Sequence, residues 1–364
     1  MKNQISEFLQ SRIDAKDFPS AVYLVAEKGE IVFTDALGFA VVEPEKIEAK
    51  IDTIYDLASL TKVLVTGLLC AKLIENGVVN LSDKVSLYLE EFDTNERKQI
   101  TIRNFLTHTS GFKAWKPFYF SKNLYSQIVE ENLEYSVNSK VVYSDFNFIL
   151  LSFLIEEIYG DAFDNIVERL TVESLNLQNT FFNPSKDLQK QIAASEKGNE
   201  FEKQTCIDLG FDVSKYNWRD YQIWGEVHDG NCYFMHGVSG HAGLFSTAEE
   251  IFVIAQQFLA NQTTLLKPET CQLFRTNYTE GLNEARSIAF QLAETKDSTA
   301  SNALAKDSFG HLGFTGTSLW IEPETERIFI LLTNRTHARE LPFVNINPTR
   351  RRFHELATQM LNEK

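Results

Sequence analysis

A chain of 364 residues exceeds the usual size of one compact core, so one large domain with an inserted lobe, or two domains, is expected. Hydrophobic residues make up 43% and charged residues 23%, an ordinary globular balance that argues against a disordered chain. The formal net charge of −15, from 35 basic and 50 acidic residues, argues against nucleic-acid or anionic-membrane partners, both of which attract basic patches.

In chain order, residues 1–7 carry no apolar core of a secretory signal, and a cytoplasmic location is the expectation. Ile5, Phe8, Leu9 and Ile13 recur at helical spacing and predict a short amphipathic helix over 3–14. Residues 21–26 and 31–37 are β-branched and aromatic around Lys28-Gly29, a hairpin signal. From about 59 to 180 the spacing is mainly helical. Gly77 is placed to stop a helix beginning near Ser59, and residues 146–158 form a second apolar helix. The most apolar stretches, 63–71 and 146–155, are too short to span a bilayer. Residues 185–232 are polar with scattered aromatics (Trp218, Tyr221, Trp224) and receive no regular structure. A second hairpin joins 318–321 to 328–333 across the turn 322–326, and a helix over about 350–362 follows. Within it, Arg350-Arg351-Arg352 reads as a helix face. The expected fold is α/β (α+β): an antiparallel sheet from both chain ends, about 1–58 and 235–364, with a mainly helical lobe inserted over about 59–234.

Four widely spaced cysteines (Cys70, Cys206, Cys232, Cys271) form no Cys-x-x-Cys pair and demand neither disulfide nor zinc. His108, His228, His236, His241 and His337 lack the close spacing of zinc ligands, and no metal or cofactor is expected. Turn roles suit His108 and His241, each close to a glycine, and His228 is placed to buttress a loop beside the site.

Chemistry concentrates in three segments. In Ser59-Leu60-Thr61-Lys62, positions i and i+3 share a helix face, so a hydroxyl can meet an amine. Serine is a poor nucleophile without a base, and a lysine desolvated in a cleft can serve as one. Ser110-Gly111-Phe112-Lys113 has the same spacing, but in a turn where the side chains need not meet. Tyr143-Ser144-Asp145 precedes the apolar helix. Tyr143 could carry a proton, or Ser144 or Asp145 could simply cap the helix. Gly310-His311-Leu312-Gly313-Phe314-Thr315-Gly316-Thr317 runs into a strand, where glycines admit a substrate backbone and free N–H groups could face an oxyanion. Trp115, Phe118, Tyr119 and Phe120 suit either an aromatic wall for an acyl group or a satellite core patch.

Together these segments resemble the Ser-x-x-Lys, Tyr-x-Asn and Lys-Thr-Gly trio of serine β-lactamases and penicillin-binding proteins, in the class C and esterase-like branch. Residues 106–111, 227–231, 240–247 and 332–335 extend the resemblance over about 20–355. It implies a single β-lactamase/transpeptidase-like domain spanning 1–364. It also implies Ser59 as nucleophile, Lys62 as base, Tyr143 in proton transfer, and the N–H groups of Ser59 and Phe314 as oxyanion hole. Asp145, His311, Gly313 and Trp115 are the expected substrate contacts.

Two residues depart from the family pattern. His311 replaces a lysine and is charged only near or below about pH 6.5, which weakens the case for β-lactam or D-Ala-D-Ala substrates. Asp145 replaces an asparagine and adds a negative charge that could keep Lys62 protonated. The expected function is hydrolysis of a small-molecule ester, amide or peptide through acyl-Ser59: carboxylesterase first, D-amino-acid peptidase or DD-carboxypeptidase second, β-lactamase third. The alternative is a non-catalytic acyl sensor or scaffold on the same fold. The sequence does not set the oligomeric state.

Overall fold

The computed structural model describes residues 3–120 and 123–364. Its frame is a seven-stranded antiparallel sheet whose strands come from both ends of the chain. The first end supplies β1 (Ser20–Glu27), β2 (Glu30–Val41) and β3 (Ile47–Glu48). After β4 (Tyr55–Asp56), β5 (Phe181–Phe182) and β6 (Leu244–Ser246), the second end supplies β7 (Gln291–Leu292), β8 (Phe309–Leu312), β9 (Ser318–Glu322) and β10 (Arg327–Thr333). The order across the sheet is β3-β2-β1-β10-β9-β8-β7. The two ends meet at β1 and β10, paired from Ala21 opposite Thr333 to Glu27 opposite Arg327. Both predicted hairpins form, β1–β2 and β9–β10.

Both faces of the central strands are buried, which explains why they read as continuous apolar runs. Val22, Leu24, Ile321, Ile328, Ile330 and Leu332 face a large core shared with the helices of the chain's middle. Tyr23, Val25, Trp320, Phe329 and Leu331 face the other way, onto Ile5 and Leu9 of the helix Gln4–Asp14 and Phe353, Leu356 and Leu361 of the helix Asn347–Asn362. That last helix begins three residues before its predicted start, with proline in its first turn, where no N–H is needed.

Two middle segments position the site. A π-helical stretch, Lys62–Gly67, leads into the α-helix Leu68–Glu75, and Gly77 follows at φ 68°, the expected stop. The helix Asp145–Tyr159 ends at Gly160 with φ 65°. Neither Ser144 nor Asp145 caps it through its side chain, against one reading of that segment. The Ser144 hydroxyl donates to the Lys113 carbonyl instead, at 2.6 Å. A three-stranded sheet, β4-β6-β5, was not anticipated, because two- and three-residue strands are too short to show a period. It carries the chain to Ser59.

On β8, a Cβ at Gly310 would collide with the Trp320 indole and the Leu319 carbonyl of β9. Gly310→Ala is therefore expected to lower the urea midpoint at unchanged m-value, with a loss of about 1–3 kcal/mol.

Candidate active site

Ser59 follows a turn in which Ala58 holds a left-handed conformation, φ 47°. Helical hydrogen bonding begins at once, with Leu60 N–H donating to Leu57 O and Lys62 N–H to Ser59 O. That one turn places Lys62 Nζ 2.9 Å from Ser59 Oγ. Lys62 is fully buried and spends its other two protons on the His241 carbonyl at 2.9 Å and on Asp145 Oδ1 at 2.7 Å. Burial works against the ammonium, but Asp145, then Tyr143, outweigh it and hold the Lys62 pKa above its ordinary value.

The Ser110–Lys113 match brings no such pair together. Ser110 Oγ donates to Asn147 Oδ1 at 2.6 Å, and Lys113 pairs with Glu131 at 2.8 Å.

Tyr143 stands over this centre, its ring 5.0 Å from Lys62 Nζ. Its buried hydroxyl is close enough to Ser59 and Lys62 to feel both, yet makes no well-formed hydrogen bond among the described residues. Burial raises its pKa, with Lys62 opposing. His108, in a turn at φ 56° as expected, packs its ring 4.7 Å from that of Tyr143 and accepts the Ser144 N–H at Nδ1, 3.0 Å. The tyrosine is thereby fixed from behind.

The Ser59 and Phe314 N–H groups donate to no acceptor among the described residues. The two segments lie so close that a Cβ at Gly313 would strike the Leu57 carbonyl and the Thr317 hydroxyl. β7 pairs only with Phe309 and Gly310 of β8, so β8 beyond Gly310 is an open edge beside Ser59. Phe314 is held on its ring by His228, stacked at 5.4 Å and 22°, and by the Arg335 guanidinium at 4.8 Å. His228 is the anticipated buttress, itself bonded to Glu196 at 2.7 Å.

The cleft has two unlike sides. One, about 490 Å³, is lined by Ser59, Tyr143, His311, Gly313 and Phe314 together with Arg286, Arg335 and Arg350. One expectation is sharpened and one corrected here. Burial, then Arg286 and Lys62, push the His311 pKa well below the usual histidine value, so the ring stays neutral, in line with the weak charge expected of it. Its Nδ1 meets the Leu312 carbonyl at 3.0 Å, which leaves Nε2 the acceptor in that neutral ring. Arg350 is not part of an exposed basic face but only 5% exposed, donating to the carbonyls of Gly313 and Thr317. Arg286 Nε and Nη1 and Arg350 Nε are buried with no hydrogen-bond partner among the described residues, while Arg286 Nη2 pairs with Glu284 at 2.6 Å.

The other side, about 310 Å³, is walled by Trp115, Phe201 and Phe314, with Asp145, Glu202 and Asp229 among its polar groups. Of the four expected aromatics only Trp115 lines it. Phe118 packs on Phe146 in the core, and Tyr119 and Phe120 pack on Tyr216 and Trp218. Phe201 and Glu202 come from the helix Glu200–Asp208, in the stretch that received no regular structure, and carried no sequence signal. Glu202 is buried, which raises its pKa to about 7. Asp145, Asp229 and His241 bring three potential ligand atoms within 4.8 Å of one another, but the Lys62 ammonium already provides the local positive charge. The four cysteines are free and buried. Among the described residues no helix is long and apolar enough to cross a membrane.

Comparison with known proteins gives the family and the fold. An Escherichia coli (strain K12) protein named "Putative D-alanyl-D-alanine carboxypeptidase" is 31% identical, over 92% of this chain and 82% of its own. The solved structure of EstCE1, described as a hydrolase with promiscuous acyltransferase activity, matches with a TM-score of 0.73 at 18% identity, covering 96% of this chain and 97% of that one. A class C beta lactamase matches with a TM-score of 0.73 at 16% identity, covering 100% and 98%. The family model Beta-lactamase matches residues 5–347. The chain therefore belongs to the Beta-lactamase family and is a serine hydrolase of that family.

Proposed function

We propose that this hydrolase works through acyl-Ser59 and acts on amides or esters that carry a free carboxylate near the scissile bond, as a D-alanyl peptide does. The observation that carries the mechanism is the 2.9 Å contact between Ser59 Oγ and a Lys62 Nζ held by two further acceptors. In its neutral form Lys62 takes the Ser59 hydroxyl proton as Oγ bonds to the carbonyl carbon. The carbonyl oxygen becomes an oxyanion between the N–H groups of Ser59 and Phe314, two fixed donors worth several kcal/mol in the transition state. Tyr143 delivers a proton to the leaving nitrogen or oxygen as its bond to carbon breaks. Water then attacks the acyl-enzyme, loses its proton to the Tyr143–Lys62 pair, and Ser59 leaves with a proton restored.

The substrate reading rests on the arginine side of the cleft. A buried guanidinium with open N–H donors is matched by a carboxylate, which accepts two parallel charge-assisted bonds. With His311 neutral, Arg286 is the guanidinium we assign to this work, through its unpartnered Nε and Nη1, its Nη2 being held by Glu284 at 2.6 Å. The reading thus places carboxylate-bearing peptides ahead of neutral esters, reversing the order expected from the histidine. The name of the Escherichia coli relative supports it. The aromatic side would take the acyl portion.

Three measurements test these assignments. Ser59→Ala should lose turnover of a p-nitrophenyl ester by on the order of 10⁶-fold and lose fluorophosphonate labelling, mapped by mass spectrometry. Labelling of the wild type without turnover would instead favour a sensor. Asp145 stabilises protonated Lys62, so neutral base accumulates only as pH rises. Asp145→Asn should move the acid limb of the kcat/KM profile down by about one pH unit or more. Arg286→Ala should cut kcat/KM for a peptide ending in D-alanyl-D-alanine by about 10–100-fold, and far less for a neutral ester. Equal losses on both substrates would remove the carboxylate assignment.

A further inference from the structure

We infer that Asp56, outside the reacting centre, is the positioning residue that sets both oxyanion donors at once. This rests on the acyl-Ser59 reading. Asp56 closes β4 and is 6% exposed. Its Oδ1 accepts the Ala58 N–H at 2.8 Å, and its Oδ2 accepts the His228 N–H at 2.7 Å. Its own carbonyl accepts the Thr315 hydroxyl at 2.8 Å.

Each bond leads to one donor. Ala58 immediately precedes Ser59 and sits at φ 47°, a conformation an alanine does not choose unaided, so the carboxylate bond holds the turn that aims the Ser59 N–H. Thr315 follows Phe314, and its hydroxyl fixes the far end of the peptide segment that presents the Phe314 N–H. The His228 backbone, tied to Oδ2, carries the ring that stacks on Phe314. A neighbouring bond, Thr317 Oγ1 to the Leu57 carbonyl at 2.9 Å, runs parallel to the first but on the adjacent peptide. Oxyanion stabilisation falls steeply when a donor leaves its place, so one residue that holds the Ser59 turn and the His228 backbone through its carboxylate, and Thr315 through its carbonyl, acts on the transition state more than on substrate binding.

Asp56→Asn replaces one acceptor by an N–H₂ group facing a backbone N–H. With the ester substrate, kcat should fall about 100-fold while KM stays within about threefold. The inhibition constant of an arylboronic acid, whose tetrahedral adduct on Ser59 places an oxygen between the two donors, should rise by a similar factor. Thr315→Val, which removes only the hydroxyl bond to the Asp56 carbonyl, should move both quantities the same way by about tenfold and serves if Asp56→Asn does not fold, as judged by circular dichroism. A folded Asp56→Asn protein with kcat and boronate affinity near wild type overturns the inference. So does a fall in kcat with boronate affinity unchanged. Failure of the wild type to label at Ser59 would sink the acyl-enzyme reading itself, whereas a labelled wild type with unaltered variants sinks only the role of Asp56.

Discussion

An ammonium group withdrawn from water needs an acceptor for each of its protons, and Lys62 finds them in the Ser59 hydroxyl, the Asp145 carboxylate and the His241 carbonyl. Each acceptor comes from a different part of the chain: the first turn of its own helix, the start of Asp145–Tyr159, and the loop before β6. Burying one charge therefore locks three segments together. Taking Asp145 away would leave that charge without its counter-ion, which in buried pairs costs about 3–5 kcal/mol. Lys62 opens the π-helical turn Lys62–Gly67, all of whose residues are buried.

The same burial separates the cleft into two environments. On the β8 side, positive charge collects where desolvation is strong enough to bring Arg350 down to about 9 and to keep His311 neutral. On the other side aromatic rings and carboxylates prevail. Phe314 lines both, its ring lying between His228 and Arg335. Where the family pattern has a lysine and this chain a histidine, the same side of the cleft is lined by Arg286 from the loop before β7, Arg335 just after β10 and Arg350 from the last helix. Charge complementarity in a cleft is a property of the assembled surface rather than of any single motif.

Much of this was legible in residue order. β-Branched and aromatic runs on either side of a turn marked β1, β2, β9 and β10, since central strands cannot hide their composition. The apolar run after Asp145 and the stop at Gly77 marked their helices. Ser59, Lys62 and Tyr143 were found because their spacing is local or their motif family-wide. The rest depended on distance. Arg286 lies in an unremarkable loop and Phe201 in a polar stretch; neither has a neighbour in sequence to announce it. Arg350 was misread because three adjacent arginines look alike, yet a helix turns each by about 100° and sends one inward.

The sequence by itself determined the family and the topology in which two chain ends share one sheet, and it pointed to the segment proposed to hold the nucleophile, since propensity, periodicity and short motifs act over a few residues. Only the tertiary structure decided the lowered pKa of His311, the unpartnered Nε and Nη1 of Arg286 and the hydrogen bonds of Asp56 to distant segments. Desolvation and long-range hydrogen bonding depend on what surrounds a group in space, and no window along the chain contains those neighbours.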